Sequence, residues 1–147
     1  METFKEVGHQ LDTIGLLLSR TSGRVVRATN AALHPHGLRV RQYSVLLLAA
    51  ATDGGLSQRE LGDALGLDPS QVVGLVDELA AAGMVERRPS PVDRRARLVV
   101  TTEHGHRVRA SASAATEAAL ATHFSQLDDA ERRLLRDLLA RVGDAPA

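Results

Sequence analysis

Small or apolar residues recur at alternating spacings of three and four along the first part of the chain. This spacing is typical of a long helix with a heptad-like seam, which can pack against a second chain or against helices of the same chain. The helix is predicted to end at His34-Pro35-His36-Gly37, because proline disfavours helical geometry in the residue before it. A second helix is predicted at roughly 41–51. The seam positions are Phe4, Val7, Leu11, Ile14, Leu18, Thr21, Val25, Ala28 and Ala32.

Two short capped helices are predicted between residues 57 and 83. Ser57 and Glu60 form a capping box, and Gly66 suits a left-handed C-terminal cap. Asp68 is the next N-cap, and Pro69 takes the first helical position, where its missing N–H costs nothing. Such a pair is the helix-turn-helix signature, although it also occurs as a plain antiparallel helix pair. The inward stripes are Leu61, Ala64 and Leu65, then Val72, Leu75, Val76 and Leu79 before the end at Gly83.

Two strand-length segments, 84–88 and 96–101, flank a proline-containing loop at 89–93 and predict a β-hairpin, the wing. Thr102 can cap an alanine-rich helix, and Asp128 or Asp129 can cap a last helix. The predicted fold is therefore mainly α with a small β-hairpin wing. The apolar positions are Val108, Ala112, Ala115, Ala119 and Phe124 in the first of these helices, and Leu134, Leu135, Leu138, Leu139 and Val142 in the second.

The composition limits the classes of function. Eighteen Lys plus Arg balance eighteen Asp plus Glu among 147 residues, so a nucleic-acid site must be a local basic patch. The lack of Cys excludes disulfides, Cys-ligated zinc and thiol redox sensing. Only Phe4, Tyr43 and Phe124 are aromatic, which argues against modules that stack single-stranded bases. No stretch approaches the roughly 20 apolar residues of a membrane span, and no secretory signal is recognisable, so a cytoplasmic location is expected.

The second helix of the pair is expected in the major groove of double-stranded DNA, with the first helix braced across the backbone. Its Gln71 can pair with adenine, and its Val73 can touch a thymine methyl. This helix has no Lys or Arg. The groove-facing positions are predicted to be Ser70, Gln71, Val73, Gly74 and Asp77, and the first helix adds Ser57, Gln58 and Arg59 to the predicted DNA contacts.

The wing carries the positive charge that the second helix lacks. Five arginines stand there against two acids, an excess of three charges, and arginine at a hairpin tip suits the minor groove. Arg94, Arg95 and Arg97 are the predicted DNA contacts, and Asp93 is expected to orient the wing by holding one guanidinium. Arginines on a hairpin are commonly only solvated, but their place after two capped helices favours DNA binding.

Residues 38–105 resemble the MarR family of bacterial winged helix regulators. The matching segments are Leu56-Ser-Gln-Arg-Glu-Leu-Gly-Asp-Ala-Leu-Gly-Leu67, Leu75-Val-Asp-Glu-Leu79, Gly83-Met-Val-Glu-Arg-Arg88, Asp93-Arg-Arg-Ala96 and Thr102-Glu-His-Gly105. The order of the flanking helices extends the resemblance over essentially the whole chain. The chain departs from the family at Gly74 and Glu78, because the family usually carries a basic residue at the first position and often at the second.

The resemblance implies a ligand-responsive repressor that acts as a homodimer on a pseudo-palindromic operator. It divides a single domain into dimerisation helices at 1–36 and 103–147 and a winged helix-turn-helix region at 38–102. It also implies a small organic effector, of unknown identity, between these regions. Arg20, His36 and Tyr43 are the predicted effector contacts, because they could meet an anionic or phenolic compound. No cofactor is expected.

Three alternatives stay open at this point. His34-x-His36 and His104-x-His106 are the nearest candidates for a metal-responsive regulator, but no helical pair of histidines has ligand spacing. The chain lacks a glycine-rich phosphate loop, a nucleophile elbow and an acid-base pair at diagnostic spacing, so no enzyme activity is expected. A winged helix that binds another protein is the more serious rival, because the second helix lacks basic residues.

Overall fold

The computed structural model describes residues 9–144, which form six helices and one small sheet. A 3₁₀ turn, His34–His36, joins the first two helices. Phe4 and Val7 of the predicted seam lie outside the described residues. The elements in chain order are α1 (Gln10–Leu33), α2 (Val40–Ala51), β1 (Leu56–Ser57), α3 (Gln58–Leu65), α4 (Pro69–Ala81), β2 (Val85–Pro89), β3 (Arg97–Thr101), α5 (Glu103–Ala121) and α6 (Asp129–Gly143).

The core is mainly aliphatic, with Tyr43 as an aromatic member, and it centres on α2, which contacts α1, α4, α5 and β3. Burial of apolar area drives this packing, at about 25 cal/mol for each Å² removed from water. Both predicted short helices turn their leucine and valine stripes into this core, so their periodicity is confirmed. The prediction is wrong at Ala64, which is exposed on α3. The largest fully buried side chains among the described residues are Leu33, Val45, Leu46, Leu61, Val72, Val76, Leu79 and Val99.

The caps of the helix-turn-helix are formed as predicted. The Ser57 hydroxyl accepts from the Glu60 backbone N–H, and the Glu60 carboxylate accepts from the Ser57 N–H. The Ser57 hydroxyl also donates to the Glu60 carboxylate at 2.7 Å, and this bond, followed by the one from the Ser57 N–H, lowers the pKa of the Glu60 carboxyl. Gly66 has φ +63°, a left-handed conformation that glycine adopts without steric cost, and it turns the chain from α3 into α4.

The predicted hairpin is confirmed as β2 and β3, and it belongs to a three-stranded antiparallel sheet of order β1-β3-β2, whose third strand was not predicted. The missed strand, β1, has only two residues, and its Leu56 pairs with Val99 of β3. This pairing fastens the start of α3 to the base of the wing. Because so short a strand shows no alternating pattern, the hydrophobic periodicity could not reveal it.

Two boundaries near the C-terminus are also settled. Thr102 caps α5 by accepting from the Gly105 N–H at 3.0 Å, and Asp128, the first of the two candidates, caps α6. The prediction that Phe124 lies in α5 is wrong, because α5 ends at Ala121 and Phe124 stands in the following turn. Its half-buried ring covers the junction between α5 and α6.

Candidate nucleic-acid interface

The exposed face of α4 begins at a polar cap. Asp68 accepts from the Gln71 backbone N–H at 3.2 Å and from the Ser70 hydroxyl at 2.6 Å, and these two bonds, the hydroxyl first, lower the pKa of the Asp68 carboxyl. The predicted groove-facing residues share this face and are all exposed. They are Ser70, Gln71, Val73, Gly74 and Asp77.

The side chain of Gln71 has a structural partner as well as an exposed position. Its Oε1 accepts from the Asp68 backbone N–H at 3.3 Å, which completes the capping box of α4. A bidentate pair with adenine needs that same oxygen together with the amide N–H group. The predicted adenine contact therefore requires Gln71 to give up a long, exposed hydrogen bond.

Arg87 connects three elements of the DNA-binding region. Its Nη2 lies 2.7 Å from Oδ1 of Asp77 on α4, and its Nε donates to Oε1 of Gln58 on α3 at 2.9 Å. The Arg87 side chain is only 31% exposed. Arg87 therefore holds α3 and α4 against the wing, and it is not a solvated cation as the charge count along the sequence assumed. Gln58 and Asp77, which were predicted to contact DNA, both have Arg87 as a partner.

A second set of contacts joins α4 to the start of α2. Nε2 of Gln42 donates to Oε2 of Glu78, and Nη2 of Arg39 lies 3.8 Å from the same oxygen. The Arg39 backbone N–H donates to Oε1 of Gln42 at 2.8 Å. The sequence pattern gave no sign that Arg39 and Gln42 lie beside α4, the helix predicted to enter the major groove and called the recognition helix below, because 36 residues separate Gln42 from Glu78.

The N-terminus of α3 lies beside α4, and the two helices border a groove of about 290 Å³. Gln58 and Arg59 line it, as does Val73 of α4. Arg59 lies 3.9 Å from Asp63, and both side chains are largely exposed. A surface pair of this kind contributes little to stability, so the Arg59 guanidinium can exchange Asp63 for another anion at little cost.

The wing tip carries exposed cations on an ordered turn. Ser90 N–H donates to the Ala96 carbonyl at 2.9 Å, and the Asp93 carboxylate accepts from the Arg95 backbone N–H at 2.9 Å. Asp93 thus orients the wing through the backbone, which corrects the expectation that it holds a guanidinium. Arg94, Arg95 and Arg97 are exposed, and within residues 9–144 none of them forms an ion pair.

The predicted effector residues lie on three different elements. Tyr43 is buried in the core, with its hydroxyl 3.5 Å from that of Thr116 on α5. His36 is half-buried in the 3₁₀ turn, and Arg20 is on the exposed side of α1. In the part of the chain that the structure describes, no group of three or more metal-ligating side chains is placed to hold an ion.

Two apolar surfaces are left uncovered in the single chain. The start of α1 exposes Leu11, at 80%, together with Ile14 and Leu18, whereas the end of α1 packs along α5. No residue of α6 is buried, and its apolar stripe faces solvent. Between α5 and α6 lies a mainly apolar cavity of about 540 Å³, lined by Glu117, Leu120, Ala121, Phe124, Arg132, Leu135, Arg136 and Leu139. Among the described helices, none is long and apolar enough to cross a membrane.

Comparisons with known proteins point to a single family. The profile of the MarR family matches residues 36–96. The chain is 30% identical over 129 residues to the HTH-type transcriptional regulator MhqR of Bacillus subtilis (strain 168), covering 87% of this chain and 88% of that protein. A solved MarR family regulator from Rhodococcus sp. RHA1 is 45% identical, with TM-score 0.85 and coverage of 93% and 96%. CouR from Rhodococcus jostii RHA1, bound to p-coumaroyl-CoA, is 45% identical, with TM-score 0.87 and coverage of 95% and 98%.

Proposed function

Because this chain belongs to the MarR family of transcriptional regulators, we propose that it binds double-stranded DNA sequence-specifically as a homodimer and releases it in response to a small organic effector. The relatives are regulators, and we propose no catalytic activity for this chain. It would act as a repressor on a pseudo-palindromic operator, in the cytoplasm. The proposed division is dimerisation helices at 1–36 and 103–147 and a DNA-binding region at 38–102.

One observation carries the DNA-binding proposal: exposed wing arginines without ion-pair partners lie in the same unit as an exposed helix that suits the major groove. Arginines that form no internal ion pair keep their charge available for phosphates and for the narrow minor groove. Ser70, Gln71 and Val73 would then specify the bases, since they present two polar groups and one apolar group to base edges. Ser57, Gln58, Arg59 and Gly74 complete the proposed contact surface.

Arg95→Ala tests this proposal. We expect the substitution to weaken duplex binding about tenfold at 50 mM salt and to reduce the slope of log K against log salt by about 0.9, because one cationic contact is lost. Fluorescence anisotropy with a selected duplex at several salt concentrations measures both quantities. Arg107→Ala is the control, because Arg107 lies on α5 in an exposed ion pair with Glu103.

Two results would count against DNA binding. A wild-type protein without salt-sensitive duplex binding would favour the alternative that the winged helix docks on another protein. Equal losses in the Arg95 and Arg107 variants would mean that the wing has no special part in the affinity.

We propose that the effector is an aromatic acid or its coenzyme A thioester, on the basis of the 45% identity to CouR. A thioester of this type joins an apolar ring to several phosphate charges, so a site for it needs both apolar and basic surface. Arg20, on α1, and His36, in the turn between α1 and α2, remain the proposed contacts, because both side chains can donate hydrogen bonds to an anionic group. Tyr43 would contribute only through a change in its packing, since its side chain is buried.

Thermal unfolding with three compounds tests the effector proposal. At a concentration one hundred times Kd, a ligand that binds only the folded state stabilises it by about 2.7 kcal/mol. We therefore expect p-coumaroyl-CoA to raise Tm by about 5–10 °C, while p-coumarate and free coenzyme A test each half of the molecule. An Arg20→Ala, His36→Ala variant should lose the shift. Equal shifts in this variant and the wild type would rule out the proposed contacts.

A further inference from the structure

The recognition helix carries two acids and no cation of its own. Asp77 and Glu78 stand next to each other on the exposed surface of α4. Each of them is approached by an arginine from another element, Asp77 by Arg87 of β2 and Glu78 by Arg39 before α2. The two acids and the two arginines together carry no net charge, although α4 alone carries two negative charges.

The two arginines differ in how far they reach into solvent. Arg87 is 31% exposed, and it makes two short polar contacts that bind it to α3 and α4. The Arg39 side chain is 74% exposed, and its one polar contact within residues 9–144 is the 3.8 Å approach to Glu78, whose side chain is 51% exposed. Arg87 is thus a fixed structural group, whereas the Arg39 guanidinium is available to a second anion.

A hydrogen bond fixes the backbone of Arg39, whereas its side chain extends into solvent. The Arg39 N–H donates to Gln42 at 2.8 Å, and the same Gln42 side chain donates to Glu78 on α4. These bonds place the Cα of Arg39 beside the recognition helix without using its guanidinium. Gly74 lies one turn before Glu78, and a Cβ built there meets no atom within 4 Å, so α4 has open space on this side.

We propose that Arg39 contacts a DNA phosphate beside the recognition helix, so that the start of α2 supplies the cation that α4 lacks. A helix in the major groove is flanked by the phosphates of both strands, and a long side chain anchored next to the helix can reach one of them. An exposed ion pair contributes at most about 1 kcal/mol, so the phosphate can replace Glu78 at little cost. The Gln42 amide continues to donate to Glu78, which reduces the repulsion between that carboxylate and the phosphate.

Arg39→Gln tests this contact, which rests on the proposed DNA-binding function. Losing one phosphate contact should weaken binding about tenfold at 50 mM salt and about threefold at 200 mM, with the salt slope reduced by about 0.9. The loss should be equal for the operator and for an unrelated duplex, because phosphates carry no sequence information. Arg107→Gln is the matched control, since Arg107 is also an exposed arginine paired with a glutamate. Arg39→Lys should retain most of the affinity and the full slope.

A double variant separates a phosphate contact from simple neutralisation of Glu78. If Arg39 binds a phosphate, the Arg39→Gln, Glu78→Gln protein should keep the reduced slope of the single variant. Recovery of the wild-type slope and affinity in the double variant would show that Arg39 only screens Glu78 and would overturn the proposal.

The tests also distinguish this proposal from the proposed function on which it depends. Salt-sensitive duplex binding by the wild type together with unchanged binding by Arg39→Gln would overturn the Arg39 contact alone. No salt-sensitive binding by the wild type would overturn both. Thermal unfolding of the Arg39→Gln protein should match the wild type, because the substituted side chain is exposed and the backbone bond to Gln42 remains.

Discussion

Replacing Gly105 by alanine should lower the free energy of unfolding by about 2–3 kcal/mol, although alanine favours helix by about 1 kcal/mol over glycine. A Cβ built on Gly105 overlaps the Met84 carbonyl oxygen and lies 2.9 Å from both the Met84 carbonyl carbon and Cγ2 of Thr101. Backbone atoms cannot turn aside as the end of a flexible side chain can. The smallest possible side chain at this position therefore forces α5 away from the sheet.

The start of α5 cannot retreat without losing hydrogen bonds. The Thr102 N–H donates to the Met84 carbonyl at 3.0 Å, and the Thr102 hydroxyl donates to the Gly83 carbonyl at 2.6 Å. The same hydroxyl accepts from the Gly105 N–H. Thr102 thus bonds the start of α5 to the residues between α4 and β2. Gly105, which has no Cβ, allows the backbone of α5 to approach the backbone of Met84.

Thermal and urea unfolding measure the effect of Gly105→Ala, for which Tm should fall by about 5–12 °C in a protein of this size. Gly74→Ala is the matched control, because Gly74 is a helical glycine whose Cβ would meet open space. That variant should gain up to about 1 kcal/mol. A Gly105→Ala protein as stable as the wild type would show that α5 can move away from Met84 without loss of stability, which would contradict the expected effect.

The parts of the fold that the sequence predicted best are those held by local contacts. The caps at Ser57, Asp68 and Thr102 each join residues two or three positions apart, so the spacing of residue types reveals them directly. The same holds for the apolar stripes of α3 and α4, which repeat once a turn. Element types in this region were therefore predictable without knowledge of the tertiary structure.

The parts that were missed depend on contacts between distant segments. Arg87 pairs with Gln58, 29 residues away, and Glu78 pairs with Gln42, 36 residues away. A count of charges along the wing could not separate the half-buried Arg87, which contacts α3 and α4, from the exposed arginines, because the sequence does not show which arginine has partners. The two-residue strand β1 was missed for the same reason, since only its partner β3 makes it a strand.

In the terminal helices, the sequence predicted the apolar stripes but did not show whether they pack against the same chain or against a second chain. The apolar seam of α1 packs on α5 toward its C-terminal end, but Leu11 and its neighbours at the start remain exposed. On α6, the apolar side chains of Leu134, Leu138, Leu139 and Val142 are exposed, and the apolar cavity between α5 and α6 is open to solvent. Exposed apolar surfaces of this extent are typical of protein interfaces, and a second copy of the chain is the occupant that we propose.

Leu138→Lys should convert the proposed dimer into a monomer. Leu138 is 43% exposed on the apolar stripe of α6, and a two-fold interface would bury both copies of the substituted residue. An unpaired charge in such an interface costs about 3 kcal/mol, so two copies raise the dimer Kd by about 10⁴-fold. Light scattering at micromolar concentration should then give the monomer mass, against a dimer for the wild type. Operator affinity should fall more than about 100-fold, because one subunit reaches only one half-site.

Ala140→Lys is the matched control for this substitution. Ala140 lies two residues further along α6 and about 200° around the helix axis, on the face opposite the stripe. The variant adds the same charge to the same helix, so it should remain a dimer with wild-type operator binding. A dimeric Leu138→Lys protein would exclude the α6 stripe from the interface. A Leu138→Lys monomer that still binds the operator with full affinity would instead separate dimerisation from DNA recognition, because the contacts of one wing and one α4 would then suffice.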